Sequence, residues 1–367
     1  MTTARLAAHR AAHVLVFAAL VPLGGCTALA VSPRTSSESP VRQDAVARAR
    51  VWRHTDIPQM DLRYGPRGKG SFAPGAVVEC RYEQRESSGN TPKFMCVRPN
   101  GDVVKVKYGA DNGEVYAEVA ATRLLWALGF GADHMYPVSV RCLGCPDEPD
   151  GPPRPGTVRL YETAAIERKM PGRDIGDADS GWSWPELDAV SHERGGASVA
   201  ERDALKLLAV VLQHTDSKRE QQRLICLDDT DKRATCRRPF MLVSDLGKTF
   251  GKANAFNRDA PGSVNLKAWA AAPVWADATG CRASLGRSLT GTLESPVVTD
   301  AGRRFLVGLL RQLSDQQVHD MFAVARFPLR ARMAGSTDGD IDAWVAAFKV
   351  KVAQIAGRSC LPTGGAS

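Results

Sequence analysis

The chain has 367 residues, 44% of them apolar, with 48 Lys and Arg against 40 Asp and Glu. This describes a globular protein with room for one two-lobed domain or two small ones, and no internal repeat is present. The net charge of +8 is diffuse, with no basic helix carrying interleaved aromatics, which excludes nucleic acid as a partner.

Residues 1–25 read as an export signal. Arg5 and Arg10 form a positive start, and Val14 to Leu23 is an apolar run too short to span a membrane. Leu23-Gly24-Gly25-Cys26 resembles the bacterial lipobox, in which the cysteine is lipidated and becomes the new N-terminus. Ordinary cleavage after Ala28-Leu29-Ala30, leaving a soluble secreted protein, is the alternative. Removing the two signal arginines leaves a charge of about +6, compatible with attraction to an anionic envelope surface. Residues 26–75 read as a tether and lead-in, flexible up to about residue 50, where Ser, Pro, Arg and Ala dominate. The expected location is therefore outside the cytoplasm, with the protein anchored through Cys26 and facing the periplasm or the cell exterior.

Two strands are expected around the turn at Ser87–Asn90. Val103 to Gly109 reads as another strand, opened by Asn100-Gly101-Asp102. Lys105 and Lys107 share one face of it, because side chains alternate with period two. Residues 113–128 read as a helix, with Val115, Val119, Thr122 and Trp126 at helical spacing and Gly129 to end it. Glu114 and Glu118 lie one turn apart on that helix. Residues 147–156 form a Pro/Gly-rich loop, and Thr157 to Met170 reads as one or two strands. Trp182 and Trp184 precede a short helix and read as packing residues. Ala204 to Leu212 is a strongly apolar helical run, and Pro239 to Val243 a short apolar strand. Residues 302–313, 314–327 and 340–355 read as three helices with apolar stripes, with Asp315 and Asp340 placed to cap or charge their starts.

The residues between these elements carry the chemistry. His214-Thr215-Asp216-Ser217-Lys218-Arg219-Glu220-Gln221 follows the apolar helix, and Asp245-Leu246-Gly247 follows the apolar strand. The two resemble the protein-kinase catalytic loop H-R-D-x-x-x-x-N and metal loop D-F-G. With the strand lysine and helix glutamate upstream, residues 76–345 resemble atypical kinase-like proteins: the HipA-type and phosphoinositide-kinase-like branches and the secreted kinases near them. The resemblance implies an α+β, two-lobed protein-kinase-like fold. A small β-rich N-lobe with one helix would occupy residues 76–172, and a larger, mainly helical C-lobe residues 173–367. It implies ATP or another nucleotide, with Mg or Mn, as cofactors. Asp216 would orient or deprotonate an acceptor hydroxyl, Lys218 would offset charge on the γ-phosphate, and Asp245 and Gln221 would hold the metal. Lys107 would bind the phosphates, paired with Glu118; it precedes the Gly109 exit and is preferred to Lys105. The competing reading is a solvated lysine pair on an edge strand. Glu167 to Gly172 would be the hinge between lobes, and residues 250–267 the substrate segment. Gly247 is expected to take a positive φ in a sharp turn.

This sequence departs from a kinase at three places. Gln221 replaces the metal-binding Asn with a carbonyl one methylene further out. No G-x-G-x-x-G loop is present, although Glu86 to Thr91 lies between the first two strands and has backbone N–H groups to offer. The insertion between Gln221 and Asp245 is long and carries two cysteines.

Removing Cys26 leaves eight of the nine cysteines, an even set in a chain read as exported, which fits disulfides. Cys80 and Cys96 lie on two strands around one turn, Cys142 and Cys145 close a tight loop, and Cys226 and Cys236 bracket the insertion. Cys281 and Cys360 remain, tying the C-terminus to the large lobe. Cys142-Leu143-Gly144-Cys145 also admits a redox or half-zinc reading. However, no second ligand pair is evident, and Pro146 and an acidic loop follow where a redox motif opens a helix. The function expected is an envelope-anchored kinase acting on an unknown hydroxyl acceptor. The alternatives are a kinase-like scaffold without turnover, or a disulfide-stapled lipoprotein of unrelated role.

Overall fold

Five short runs of β-branched and aromatic residues build the first layer of this computed structural model. It describes residues 39–85, 89, 91–148, 151–176, 181–228, 235–251, 262–285, 291–333 and 339–360. The expected signal segment, lipobox and Cys26 lie outside the described residues, as does most of the Glu86–Thr91 loop.

Helix α1 (Pro40–Ala47) opens the chain, followed by β1 (Val77–Glu83), β2 (Lys93–Val97) and β3 (Val103–Tyr108). Helix α2 (Glu114–Ala127) then leads to β4 (His134–Leu143) and β5 (Val158–Arg168). These strands close a barrel in the order β1-β2-β3-β5-β4, with β1 parallel to β4 and the other pairs antiparallel. Where a small β-rich lobe is expected from the sequence, the strands thus leave no open edge. Alternation sends Phe94, Cys96, Val104, Val106, Val138, Val140 and Ile166 inside. Met135 and Ala165 face outward and join the main core with α2. Residues 158–168 form one long strand, not two.

A second sheet follows: β6 (Arg173–Asp174), β7 (Gln222–Cys226) and β8 (Pro239–Val243), with helix α3 (Val199–Leu212) between β6 and β7. Ser198 and Glu201 form a capping box at the start of α3. The remainder is helical: α4 (Leu266–Ala271), α5 (Asp300–Leu310), α6 (Asp315–Val324), α7 (Phe327–Met333) and α8 (Ile341–Ala356). The single helix expected over residues 314–327 stops at Val324, because Arg326 takes a left-handed φ of 60° and α7 begins in a new direction. Residues Ser39–Ser367 cluster as one compact unit. Among the described residues, no helix is long and apolar enough to cross a membrane.

The stretch expected as a flexible tether up to about residue 50 instead carries α1 from residue 40. Ser39 caps it, and Ala45, Val46, Ala49 and Val51 are buried. Arg42 donates to Glu186 Oε1 at 2.6 Å and to the Gly181 carbonyl at 2.7 Å. Arg50 adds two backbone hydrogen bonds alongside β8, with Pro239 at 2.9 Å and Met241 at 2.8 Å. The polar composition hid this segment because its apolar residues are small and its arginine is buried through partners.

Four disulfides join Cys80–Cys96, Cys142–Cys145, Cys226–Cys236 and Cys281–Cys360, with Cα separations of 5.3 to 5.7 Å. Arg123 fastens the lead-in to α2. It is fully buried and donates to the carbonyls of Leu62 (2.9 Å), Met135 (2.9 Å), Tyr64 (3.2 Å) and Arg63 (3.3 Å). Burial lowers its pKa to about 10, so it stays charged at neutral pH. Arg123→Met strands buried carbonyls and is expected to cost roughly 3 kcal/mol, read as a lower midpoint in urea unfolding. Arg123→Lys should recover only part of this, since one ammonium lacks the guanidinium's fork of donors.

Candidate active site

Three segments distant in sequence converge on one ammonium. β3 turns Lys107 outward from the barrel, α2 presents Glu114 and Glu118 one turn apart, and the exit of β8 delivers Asp245. Lys107 Nζ lies 2.5 Å from Glu118 Oε1, 3.5 Å from Asp245 Oδ2 and 3.7 Å from Glu114 Oε2. The Lys107 side chain is only 3% exposed, whereas that of Asp245 is 34% exposed. Burial pulls the Lys107 pKa down, but Asp245, Glu118 and Glu114 outweigh it and hold the group well above the ordinary lysine value. Burial pushes Asp245 up, yet Lys107 and the Gly247 N–H, which donates at 3.0 Å, keep it well below the usual carboxylate range. Burial pushes the Glu118 carboxyl up, with Lys107 opposing. Lys105 does not join the cluster; it pairs with Glu167 at 2.7 Å across β5.

Three carboxylates against the Lys107 ammonium leave a surplus of negative charge. Oxygens of Glu114, Glu118 and Asp245 lie within 4.8 Å of one another, and Glu118 Oε2 is buried without a hydrogen-bond partner. This hard-oxygen donor set fits a divalent metal of the Mg²⁺ or Mn²⁺ class. A second group, Cys226, Asp228 and Cys236, is closed to metal because its sulfurs are joined to each other.

Gln221 meets Asp245 through its backbone: its carbonyl accepts from Ser244 N at 2.8 Å and Asp245 N at 3.1 Å. Gly247 is not in the left-handed region, contrary to the expectation from sequence. Glycine is needed there because a Cβ would meet the Glu114 side chain at 2.7 Å.

The loop after α3 supplies the rest. Gln213 takes a left-handed φ of 57° and turns the chain into His214. Asp216 faces two cations, Lys248 at 3.0 Å and Lys218 at 3.5 Å. Ser217, between Asp216 and Lys218, is fully buried: its carbonyl accepts from Thr292 and its hydroxyl from Leu293 N, at 2.9 to 3.0 Å. Lys248, three residues after Asp245, pairs with Asp216, and Asp245 N donates to the Gln221 carbonyl, so the two loops share one neighbourhood.

Sequence reasoning missed several residues of this site. Lys248 follows Asp-Leu-Gly directly, and only its contact with Asp216 shows its place. Thr91 Oγ1 donates to Glu114 Oε2 at 2.6 Å, tying the β1–β2 turn to α2. Asp133, fully buried, accepts from Ser244 Oγ (2.5 Å), Met170 N (2.7 Å) and Arg223 (2.9 Å), and so holds the residue before Asp245. Phe250, at a left-handed φ of 57°, donates its N–H to the Leu212 carbonyl at 2.8 Å. Its ring packs against Phe327, Trp269 and Phe322 at 5.3 to 5.8 Å. None of these carries a period or motif signal.

No protein-family model matches the chain, and no curated protein matches it significantly. Among solved structures, the proinflammatory kinase CtkA of Helicobacter pylori aligns at a TM-score of 0.39 and 8% identity, over 75% of this chain and 99% of that one. A Golgi casein kinase aligns at 0.35 and 9% identity, over 86% and 78%. Scores this low do not establish a shared fold, and the functional reading rests on the geometry above.

His214 is fully buried, and neither ring nitrogen has a hydrogen-bond partner among the described residues. Burial lowers its pKa to about 4, and His134 is lowered likewise to about 4. A depressed histidine contributes full stability above its unfolded pKa of about 6.5. The contribution is lost as pH falls toward 4, because the unfolded chain takes up the proton first. The melting temperature should drop between pH 7 and pH 4.5. His214→Leu, of similar volume, should flatten that drop, removing up to about 3 kcal/mol of the pH dependence.

Proposed function

We propose that this chain is a metal-dependent phosphotransferase of kinase-like construction, exported and held at a membrane by a lipid on Cys26. It would move the γ-phosphoryl group of ATP or another nucleotide to a hydroxyl acceptor in the cell envelope. The observation that carries this reading is the convergence of Lys107, Glu118 and Asp245 from three separate segments, beside a loop bearing Asp216 and Lys218. Such a buried ion cluster is costly to assemble for packing alone and supplies what phosphoryl transfer needs, positioning and charge neutralisation. The export reading is supported by four disulfides that take up every cysteine except Cys26.

Asp245, with Glu118 and Glu114 behind it, would hold the metal, which would supply positive charge to offset that of the phosphates. Lys107 binds phosphate oxygen while Glu118 fixes its position. Asp216 accepts the proton of the acceptor hydroxyl as that oxygen bonds to the γ-phosphorus. The bond from that phosphorus to the bridging oxygen breaks, and the nucleoside diphosphate leaves with the electron pair. Lys218 and Lys248 flank Asp216 and would offset that charge. A nucleotide-binding module without turnover is the second reading. It is favoured by Gln221 in place of Asn and by the two cations that already occupy Asp216.

Calorimetric titration of ATP into the oxidised protein, with and without Mg²⁺ or Mn²⁺, tests this. Metal-dependent binding is expected, and Asp245→Ala should abolish it; unchanged binding in that variant would sink the assignment. Asp216→Ala should keep binding and lower transfer by roughly 10²–10⁴-fold; unchanged transfer in that variant would remove Asp216 from the mechanism, and binding with no transfer in the parent would select the second reading. Cys26→Ser should move the protein from the membrane fraction to the soluble extract in a detergent-free fractionation.

A further inference from the structure

Lys93 is a charged group beside Lys107 that the mechanism above leaves unused. It opens β2, and β2 pairs with β3 so that Lys93 stands directly opposite Lys107. Its neighbour Phe94 points into the barrel, so alternation turns Lys93 to the outer face that Lys107 shares. Lys93 is only 7% exposed. Its sole hydrogen-bond partner among the described residues is the Gly89 carbonyl at 3.4 Å, a long contact. Among the described residues it has no carboxylate within ion-pairing distance, whereas Lys107 has three and Lys105 has Glu167.

This arrangement breaks two rules at once. Lysine is almost never buried unless paired, and like charges directly opposite in a sheet destabilise it. Burial, then Lys107 and Lys105, push the Lys93 pKa down, with Glu114 and Asp245 opposing only partly. The carboxylates that offset Lys107 offset Lys93 only in part. A polyanion lying across both would complete that offset, and the nucleotide proposed above brings one.

We propose that Lys93 is a second polyphosphate-binding cation. With Lys107 it clamps the phosphate chain from the β2–β3 face, the role that backbone N–H groups of a glycine-rich loop would otherwise fill. This deepens the phosphotransferase reading and rests on it for the identity of the donor. The clamp chemistry itself requires only a linear polyphosphate.

The test is calorimetry on the oxidised full chain and its Lys93→Met and Lys93→Arg variants, with four probes: Mg·ATP, Mg·ADP, adenosine and inorganic tripolyphosphate. Lys93→Met should weaken Mg·ATP and tripolyphosphate roughly tenfold or more, the loss of one charge-assisted contact. Mg·ADP should weaken less, and adenosine not at all. Lys93→Arg should bind within about threefold of the parent, since it keeps a fully charged head. The melting temperature of Lys93→Met should be no lower than the parent's, because the substitution removes a like-charge pair. Equal weakening of all four probes, or a lowered melting temperature with no selective loss, would make Lys93 a structural residue and overturn the proposal. Unchanged Mg·ATP affinity in Lys93→Met would overturn it and leave the phosphotransferase reading standing. Tripolyphosphate binding that depends on Lys93, without Mg·ATP binding, would support the clamp and overturn the nucleotide donor. If the parent binds neither, both fall.

Discussion

The buried ammonium of Lys107 is the constraint on which the rest of the molecule depends. Taking such an ion out of water costs several kcal/mol even after relaxation, and only well-placed counter-charges offset that. The counter-charges here come from α2 and from the exit of β8. The barrel, the helix and the β7–β8 hairpin must therefore be held in a fixed relation for the ion to be tolerated. Glu114 shows how tightly this is drawn. One carboxylate stands 3.7 Å from Lys107, accepts from Thr91 and packs its stem against Gly247. A single side chain so links the β1–β2 turn, the strand lysine and the Asp-Leu-Gly turn, and any shift of α2 is felt at all three.

The hairpin that delivers Asp245 is braced from every side. Trp182 Nε1 donates across it to the carbonyls of Arg223 and Leu242, both at 3.1 Å. Arg223 spans Asp133 and Asp174, each at 2.9 Å, and the Cys226–Cys236 bridge ties the far end. Beyond Asp245, Phe250 inserts into an aromatic cluster in which Trp269 and Trp344 stack at 5.4 Å. The Cys281–Cys360 bridge closes the longest loop, with a sequence separation of 79; in the chain-entropy account a loop of that size is worth about 4 kcal/mol. Rigid framing of a charged cluster by buried polar networks and covalent links is how a site holds geometry without relying on its own favourable energy.

Much of this was legible in the sequence, and the reason is period. The apolar stripe of α2 located Glu118, the alternation of β3 located Lys107, and the apolar runs of α3 and β8 located the loops bearing Asp216 and Asp245. Three cysteine pairs followed from the turns and loops they bracket, and Cys281–Cys360 was the pair that remained. What was hidden depends on register and on buried polar contacts, which leave no periodic trace. Lys93 heads a strand that reads Lys-Phe-Met-Cys-Val, and its position opposite Lys107 is set by how β2 and β3 align around their connecting turn. Asp133 and Lys248 sit in irregular segments whose partners lie 111 and 32 positions away in sequence. Helix α1 was masked because polar composition was read as solvation, whereas Arg42 is buried through Glu186 and Gly181. Gly247 was identified for a conformation it does not adopt, the true demand being the approach of another side chain.

Several departures from local rules fall on the segments that build the site. Lys93 and Lys107 face each other as like charges, Glu118 keeps an unpartnered oxygen, His214 is buried with both nitrogens unpaired, and Gln213 and Phe250 hold left-handed backbones. Each costs free energy, the backbone strain alone of order 1–3 kcal/mol per residue. Others lie elsewhere: Val264 and Arg326 also hold left-handed backbones, and Trp344 keeps a buried side-chain nitrogen without a hydrogen-bond partner among the described residues. What sets the site apart is that its charged departures, at Lys93 and Glu118, are ones that a negatively charged ligand and a metal would resolve together. The surplus of carboxylates behind Lys107 and the uncompensated Lys93 in front of it are complementary faults. A polyphosphate carrying a divalent cation presents positive charge to the carboxylates and negative oxygen to Lys93, which is why the defects of the free protein are best understood as half of a bound state.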